Sequence, residues 1–467
     1  MEESEGAPDS PPRPTPNIEL PTDSQFEELA VVSETESEYE DAEDDSGHSK
    51  YTSKRVKSLF KSVPRWGEMV QNGEEKLKQK VAAAWNNVKD AASVGMNALQ
   101  YNSLWANDDS EEYEKMSVIV MLSKFYSMSG GKADAEAAHR QFSSDYYSRI
   151  WLTYRTGFPP LLSSSSTSDC GWGCTLRTGQ MMIAQALSTI HLSRDWRFED
   201  VSKKAKEKNE QGDATSNTHK EIVALFNDKE DAPMGLHSLL AESREKEGAI
   251  GKWFSPSEAL HLLRRCVSQS SSPLTVGLEV VVSVDMLVDV CEMDERTCNW
   301  SRSLVLVVCL RLGLTTVNEF YYKHIKHLLQ HKTCLGLVGG QPNRSLYIVG
   351  YNDNDVIFLD PHVAHSFNDS LADLSSFHCR LLSKMPLSSM DPSCAVGFLF
   401  SSREEFMETF RHLNRHAVVD MEEGEDGSRR NEFPLFTVVT QPMGDIPHKK
   451  VTKEEAAEAN EEGFDLV

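Results

Sequence analysis

Residues 171–190 constrain the fold more than any other stretch. Gly171-Trp172-Gly173 is a turn signal, because glycine accepts backbone angles closed to other residues, and it runs directly into Cys174-Thr175-Leu176-Arg177-Thr178-Gly179-Gln180-Met181-Met182-Ile183-Ala184-Gln185-Ala186-Leu187. A helix this apolar around its circumference is stable only when neighbours cover it on all sides. The chain must therefore build a body around a helix spanning 174–190, with Cys174 in its first turn. There the helix dipole and unpaired N–H groups favour the thiolate, the nucleophilic form. On its own, such a cysteine also fits inert packing.

The material for that body is unevenly distributed. The chain of 467 residues carries a net charge of −24, yet residues 1–50 hold 16 acids against 2 bases and residues 421–467 hold 12 against 5. The ends thus supply −14 and −7, and residues 51–420 net only −3. Acid-rich, apolar-poor ends cannot offset the entropy of ordering. Residues 1–73 and 418–467 are expected to be disordered acidic extensions flanking a globular part at 108–417. Between them, 74–107 is read as an amphipathic helical segment, with Leu77, Val81, Ala84, Trp85 and Val88 opposite Lys76, Lys80, Asn87 and Lys89. Its apolar stripe is expected to pack on the body, with a membrane-surface or regulatory role as the alternative.

A body with no basic surplus argues against nucleic-acid binding, which needs a positive face for phosphates. MEESEGAPDSPPRPTP has neither a basic n-region nor an apolar core, and no uncharged apolar run approaches 18 residues. A cytoplasmic protein is expected. The nine cysteines, odd in number and irregular in spacing, then read as thiols and mostly as small buried hydrophobes.

Periodicity predicts helices at 140–156, 174–190, 256–266 and 317–331, and strands at 274–283, 303–310, 334–338, 345–351, 356–360 and 396–401. Helices before strands indicate α+β architecture. The polar stretch 202–218 reads as an insertion loop. A base for Cys174 is offered where the apolar run Val356-Ile357-Phe358-Leu359 ends in Asp360-Pro361-His362. A Cys–His pair from distant elements, with a carboxylate fixing the imidazole tautomer, is the arrangement of thiol proteases. Taken alone, Asp-Pro-His also fits a solvated turn. His324, His327 and His331 share a helical face, but no carboxylate or CxxC cluster accompanies them, so a polar helix surface is preferred over a zinc site. No cofactor or metal is expected. Cys170 is read as a core thiol or redox partner, and Tyr154, from pattern alone, as a core residue on a helix face.

At this point the chain resembles the autophagins, the autophagy-related cysteine proteases that cut ubiquitin-like modifiers. The resemblance spans about residue 74 to 439. It rests on Trp151-Leu152-Thr153-Tyr154-Arg155, Thr167-Ser168-Asp169-Cys170-Gly171-Trp172-Gly173-Cys174, Gly251-Lys252-Trp253-Phe254, Arg311-Leu312-Gly313-Leu314, Gly339-Gly340-Gln341-Pro342-Asn343 and Leu359-Asp360-Pro361-His362, in family order. The segment around Ala84-Trp85-Asn86-Asn87-Val88-Lys89 and the pair Asp195-Trp196 resemble the longer C and D branch, the D type most. The resemblance implies a papain-like α+β fold with a small inserted subdomain and disordered acidic tails. It implies Cys174 as nucleophile, His362 as general base, Asp360 as orienting acid, and Tyr154 as a hydroxyl that helps hold the oxyanion. Trp253 would cover the substrate groove, and Gly339, Gly340 and Pro342 would belong to a flexible regulatory loop.

The substrate so implied is the flexible tail of GABARAP and light-chain-three type modifiers, cut after a glycine, together with the same glycine's bond to phosphatidylethanolamine on autophagosomal membranes. Peripheral membrane contact is compatible with that. Phe464-Asp465-Leu466-Val467, after Glu461-Glu462, has the aromatic-x-x-aliphatic spacing of a peptide that docks on a modifier's sheet edge, and Phe26-Glu27-Glu28-Leu29 is a second candidate. Two rivals remain at this level: a catalytically silent modifier-binding adaptor, and a papain-like isopeptidase for another ubiquitin-like protein.

Overall fold

Alternation along one strand explains the layering. In Ser303–Arg311, Val305 and Val307 face one apolar core, while Leu304, Leu306, Val308 and Leu310 face a second. A strand with two buried faces must lie inside a sheet covered on both sides. The computed structural model describes residues 118–129, 131–198, 210–422, 431 and 433–440. The expected amphipathic segment at 74–107 and both docking motifs, Phe26 to Leu29 and Phe464 to Val467, lie outside the described residues.

In chain order, the elements that build the site are β1 (Val118–Met121), β2 (Lys124–Ser127), α1 (Lys132–Tyr147), β3 (Tyr154–Thr156), α2 (Cys174–Leu192), α3 (Glu210–Ala224), α4 (Leu236–Ala241) and α5 (Pro256–Gln269). They continue with β4 (Leu278–Ser283), β5 (Leu287–Asp289), α6 (Val290–Arg296), β6 (Ser303–Arg311), α7 (Tyr322–Gln330), β7 (Cys334–Gln341), β8 (Arg344–Asn352) and β9 (Asp355–Leu359). The last are β10 (Ala364–Ser366), β11 (Ser383–Pro386), β12 (Ser393–Phe400), α8 (Arg403–Arg415), β13 (Asp420–Glu422) and β14 (Thr437–Val439).

The main sheet runs β11-β9-β8-β7-β12-β6-β4, with β1 on β8 and β2 on β1. All its pairings are antiparallel except β4 with β6. α2 and α5 cover one face; α7 and α8 cover the other with Ile325, Leu328, Phe406 and Phe410. Met181, Met182, Ile183, Ala184, Ala186 and Leu187 of α2 are fully buried. Each large apolar side chain so buried contributes about 1.5 to 3 kcal/mol. α2 comes so close to β12 that a Cβ at Gly397 would meet Met182 Sδ at 2.6 Å.

Several elements depart from the pattern-based expectation. The helix expected at 140–156 runs instead over Lys132–Tyr147, and Tyr154 lies on β3, not on a helix face. Long-range bonds decide this: Trp151 N donates to Phe377 O at 2.8 Å and Tyr154 N to Pro361 O at 2.9 Å, pulling the segment into extended form. The stretch 202–218 enters α3 at Glu210, and that helix is held by buried His219, Ile222 and Val223. Folded structure also continues past Ala417. β13 and β14 form a parallel sheet with β5, and Met421, Leu435, Phe436 and Val438 are buried, so strands and core residues lie within the segment expected from 418 as an acidic tail.

Candidate active site

The turn before α2 is shaped by a buried acid. Asp169 O accepts from Trp172 N at 3.2 Å and Gly173 N at 3.0 Å. A side chain at residue 173 would collide with it, since a Cβ there would stand 2.4 Å from Asp169 Oδ2. The carboxylate reaches in two further directions: Oδ1 accepts from Arg155 N at 2.7 Å, and Oδ2 from Arg177 Nε at 2.8 Å. Arg177, on α2, forks onto Asp228 at 3.0 and 2.9 Å. Burial opposes the Arg177 charge, but Asp169 and Asp228 outweigh it and hold the guanidinium firmly protonated. Asp169 therefore ties together β3, which carries Tyr154, and the first turn of α2, which carries Cys174.

The opposite wall comes from the end of β9. β10 pairs in parallel with β3, placing Ala364 beside Tyr154, so the Asp360-Pro361-His362 turn is folded over the start of α2. Asp360 Oδ1 accepts from His362 N at 3.0 Å and faces His362 Nδ1 at 2.6 Å. Trp151 Nε1 donates to Asp360 O at 2.6 Å, and the Arg344 guanidinium donates to Asp360 Oδ2. The Tyr154 and His362 rings meet edge to face with centroids 5.4 Å apart.

These contacts shift the titrations of the three groups. Burial pushes the Cys174 thiol up, but a hydrogen bond and charge from His362, the Ser345 backbone and the Tyr154 hydroxyl bring it below the ordinary thiol value. The other described cysteines with a shift move the opposite way: burial raises Cys266, Cys334 and Cys379 to about 12 and Cys309 to about 11, and Cys394 further. His362, which burial alone would depress, is raised to about 10 by Asp360 and Cys174. Asp360, which burial alone would raise, is held at about 2 by His362 and Arg344. The arrangement is a thiol of lowered pKa beside an imidazole held by a carboxylate, groups with the chemistry to attack a carbonyl carbon and then protonate a leaving amine. Cys174 itself is only 5% exposed.

Of the other expected site residues, Trp253 is 55% exposed and donates from Nε1 to Gly171 O at 2.6 Å, which lays the indole over the turn before Cys174. Gly339 and Gly340 are not in a loop. They lie inside β7, paired with Leu346 and Ser345 of β8, and Pro342-Asn343 is the two-residue turn of this hairpin. A Cβ at Gly340 would stand 2.1 Å from Arg344 O, so close strand approach, not mobility, accounts for that glycine. Cys170 is buried in one cluster with Tyr154 and Cys174. His324 faces the carbonyls of Phe320 and Ala417, His327 stacks on His416, and His331, just past the end of α7, meets Thr333 Oγ1, so the three imidazoles turn to different partners.

Reading along the sequence missed Asp169, Arg177, Asp228, Trp151 and Arg344 as the groups that hold the site. Asp169 and Trp151 stood inside the quoted motifs, and Arg344 directly follows one. Asp228 gave no signal, because only the fold brings it to Arg177.

The peptidase C54 catalytic domain pattern matches residues 139–412. Among relatives, the chain is 37% identical to "Cysteine protease atg-4.2" of Caenorhabditis elegans over 90% of this chain and 84% of that protein. It is 31% identical to "Cysteine protease ATG4C" of Xenopus laevis, over 78% and 89%, and 30% identical to "Cysteine protease ATG4D" of the same species, over 78% and 81%. No helix among the described residues is long and apolar enough to cross a membrane. The chain belongs to the peptidase C54 family, the autophagy-related cysteine proteases of the C/D branch, and is a cysteine-type peptidase.

Proposed function

We propose that this protein cleaves the flexible C-terminal tail of ubiquitin-like autophagy modifiers of the GABARAP and light-chain-three type after a glycine, and hydrolyses the bond between that glycine and phosphatidylethanolamine. The observation that carries this reading is the depressed thiol of Cys174 beside an imidazole held by Asp360. Cys174 Sγ attacks the carbonyl carbon of the glycine, and the oxyanion is held by the Tyr154 hydroxyl and by N–H groups at the start of α2. The His362 imidazolium gives its proton to the leaving amine, whether of a peptide or of the lipid headgroup. A thioester remains on Cys174. Neutral His362 then takes a proton from water, whose oxygen attacks the thioester and releases the glycine carboxylate and the thiol.

A nearly buried sulfur, with Trp253 bonded to the turn before it and Ser345 of the β7–β8 hairpin beside it, favours a thin, extended chain with glycine at the cleaved bond over a folded loop. Both modifier reactions pass through this one acyl-enzyme, which makes delipidation at membranes and priming in the cytoplasm the same chemistry with different leaving amines. The Phe464-to-Val467 motif is proposed to dock modifiers, with Phe26-to-Leu29 as its N-terminal counterpart. The silent-adaptor reading is disfavoured because a depressed thiol and a raised imidazole serve no binding role. The test is to incubate wild type and Cys174→Ala with a panel of modifiers bearing C-terminal extensions and with their lipidated forms. Wild type is expected to release the extension and the lipid. Cys174→Ala is expected to bind without turnover, and turnover by that variant would overturn the assignment.

A further inference from the structure

Asp360 has two carboxylate oxygens and two cationic neighbours. Oδ1 is taken by His362 Nδ1 and by the His362 backbone N–H, and Oδ2 is taken by the Arg344 guanidinium. Arg344 opens β8, immediately after the Pro342-Asn343 turn, and its strand partner across the turn is Gln341. The next residue, Ser345, reaches the sulfur side of the site: its backbone bonds Cys174, and its hydroxyl meets Thr178 Oγ1 of α2 at 2.8 Å. The turn end of one hairpin thus touches both the carboxylate and the thiol, while the turn residues Pro342 and Asn343 themselves are exposed.

We propose that Arg344 is a positioning residue: its guanidinium clamps Asp360 Oδ2, fixes the carboxylate plane so that Oδ1 faces His362, and makes the ionic state of the base depend on how the β7–β8 hairpin is seated. The proposal rests on the triad roles proposed above. A single oxygen of a freely turning carboxylate would hold the imidazole in a range of orientations, and misplacement of a catalytic group by even about 1 Å costs on the order of a hundredfold in rate. Charge acts alongside geometry. A cation bound to Asp360 lessens the carboxylate's pull on the imidazolium proton, and a proton held less tightly is a better one to give to a leaving amine.

The test uses the full chain with Arg344→Met, which removes charge and hydrogen bonds while keeping the stem, and Arg344→Lys, which keeps the charge. Two readouts are taken: the pH profiles of kcat and KM on a modifier with a C-terminal extension, and the NMR titration of the His362 imidazole, identified by the signal lost in His362→Ala. The second needs no substrate. For Arg344→Met we expect kcat to fall roughly tenfold, KM to stay within about twofold, and the His362 titration to move upward by more than about half a pH unit. Arg344→Lys should return the titration to the wild-type position and recover most of kcat.

A His362 titration in a folded Arg344→Met variant that superimposes on wild type would overturn the proposal. So would a change confined to KM, which would make Arg344 a substrate contact. If Arg344→Met does not fold, failure of Arg344→Lys to show wild-type titration overturns it in the same way. Absence of any modifier cleavage by wild type, with the titration shift still present in Arg344→Met, would refute the proposed function and leave the clamp standing.

Discussion

Replacing Arg177 by Met removes the guanidinium that lies between Asp169 and Asp228 while keeping much of its volume. All three groups are buried, with exposures of 1%, 0% and 2%. Removing one partner of a buried ion pair costs about 3 to 5 kcal/mol, because the charge left behind has neither water nor a counterion. Here two carboxylates are stranded, and the folded protein escapes part of the cost by protonating one of them, which is cheaper at low pH. The sign follows from linkage. A carboxyl whose folded pKa is raised above its unfolded value binds more protons in the folded state, so its stability contribution is present at low pH and lost as pH rises. One carboxyl kept protonated beyond pH 7 gives a slope of about 1.4 kcal/mol per pH unit, and hence about 2.7 kcal/mol between pH 5 and pH 7. Urea unfolding of wild type and variant at both pH values measures this. The expected deficit is large at pH 7 and smaller at pH 5. A deficit under about 1 kcal/mol, or one equal at the two pH values, would refute the role of this network as a buried charge balance. Because Asp169 also holds Arg155 N and the Gly173 turn, alkylation of Cys174 should slow in the same variant.

Gly173→Ala forces a Cβ against Asp169 Oδ2 at 2.4 Å and should destabilise by about 1 to 3 kcal/mol in thermal unfolding, with loss of activity at temperatures where the variant is still folded. The Asp360–His362 pair should make stability fall at both pH extremes. Asp360, held at about 2, contributes fully above its unfolded value of 3.8 and loses this as pH falls through 2; His362, raised to about 10, contributes fully below 6.5 and loses this as pH rises through 10. Asp360→Asn should flatten the alkaline side of that profile, and an unchanged alkaline side would count against the pair. Trp253→Ala removes an exposed indole bonded to Gly171 O, so melting should shift little while kcat/KM on tail substrates falls; a large melting shift would instead make Trp253 a structural prop. Alanine at both Phe464 and Val467 should raise KM at least tenfold, since each apolar anchor is worth about 1 to 3 kcal/mol, with kcat little changed.

Local pattern by itself determined the buried helix from Cys174, the apolar strands of the main sheet and the turn that releases His362, because side-chain periodicity records which faces are covered. The α2 expectation of 174–190 and the β6 expectation of 303–310 lie within two residues of Cys174–Leu192 and Ser303–Arg311. Tertiary structure alone decided the rest. Tyr154 became a strand residue because Pro361 O accepts its N–H from more than 200 positions away, a bond no local window contains. Gly339 and Gly340 look like loop residues in sequence and are strand residues in space, since what they permit is the close approach of Arg344 and Cys394. β13 and β14 follow or interrupt acidic sequence and still fold, because Met421, Leu435, Phe436 and Val438 find apolar partners on the far side of the sheet. The chemistry divides in the same way. Residue identity supplied a thiol, an imidazole and a carboxylate. The depressed thiol and raised imidazole arise only where β3, α2 and the end of β9 bring together groups that the chain keeps far apart, because hydrogen bonds and charge between them outweigh the burial that opposes both shifts.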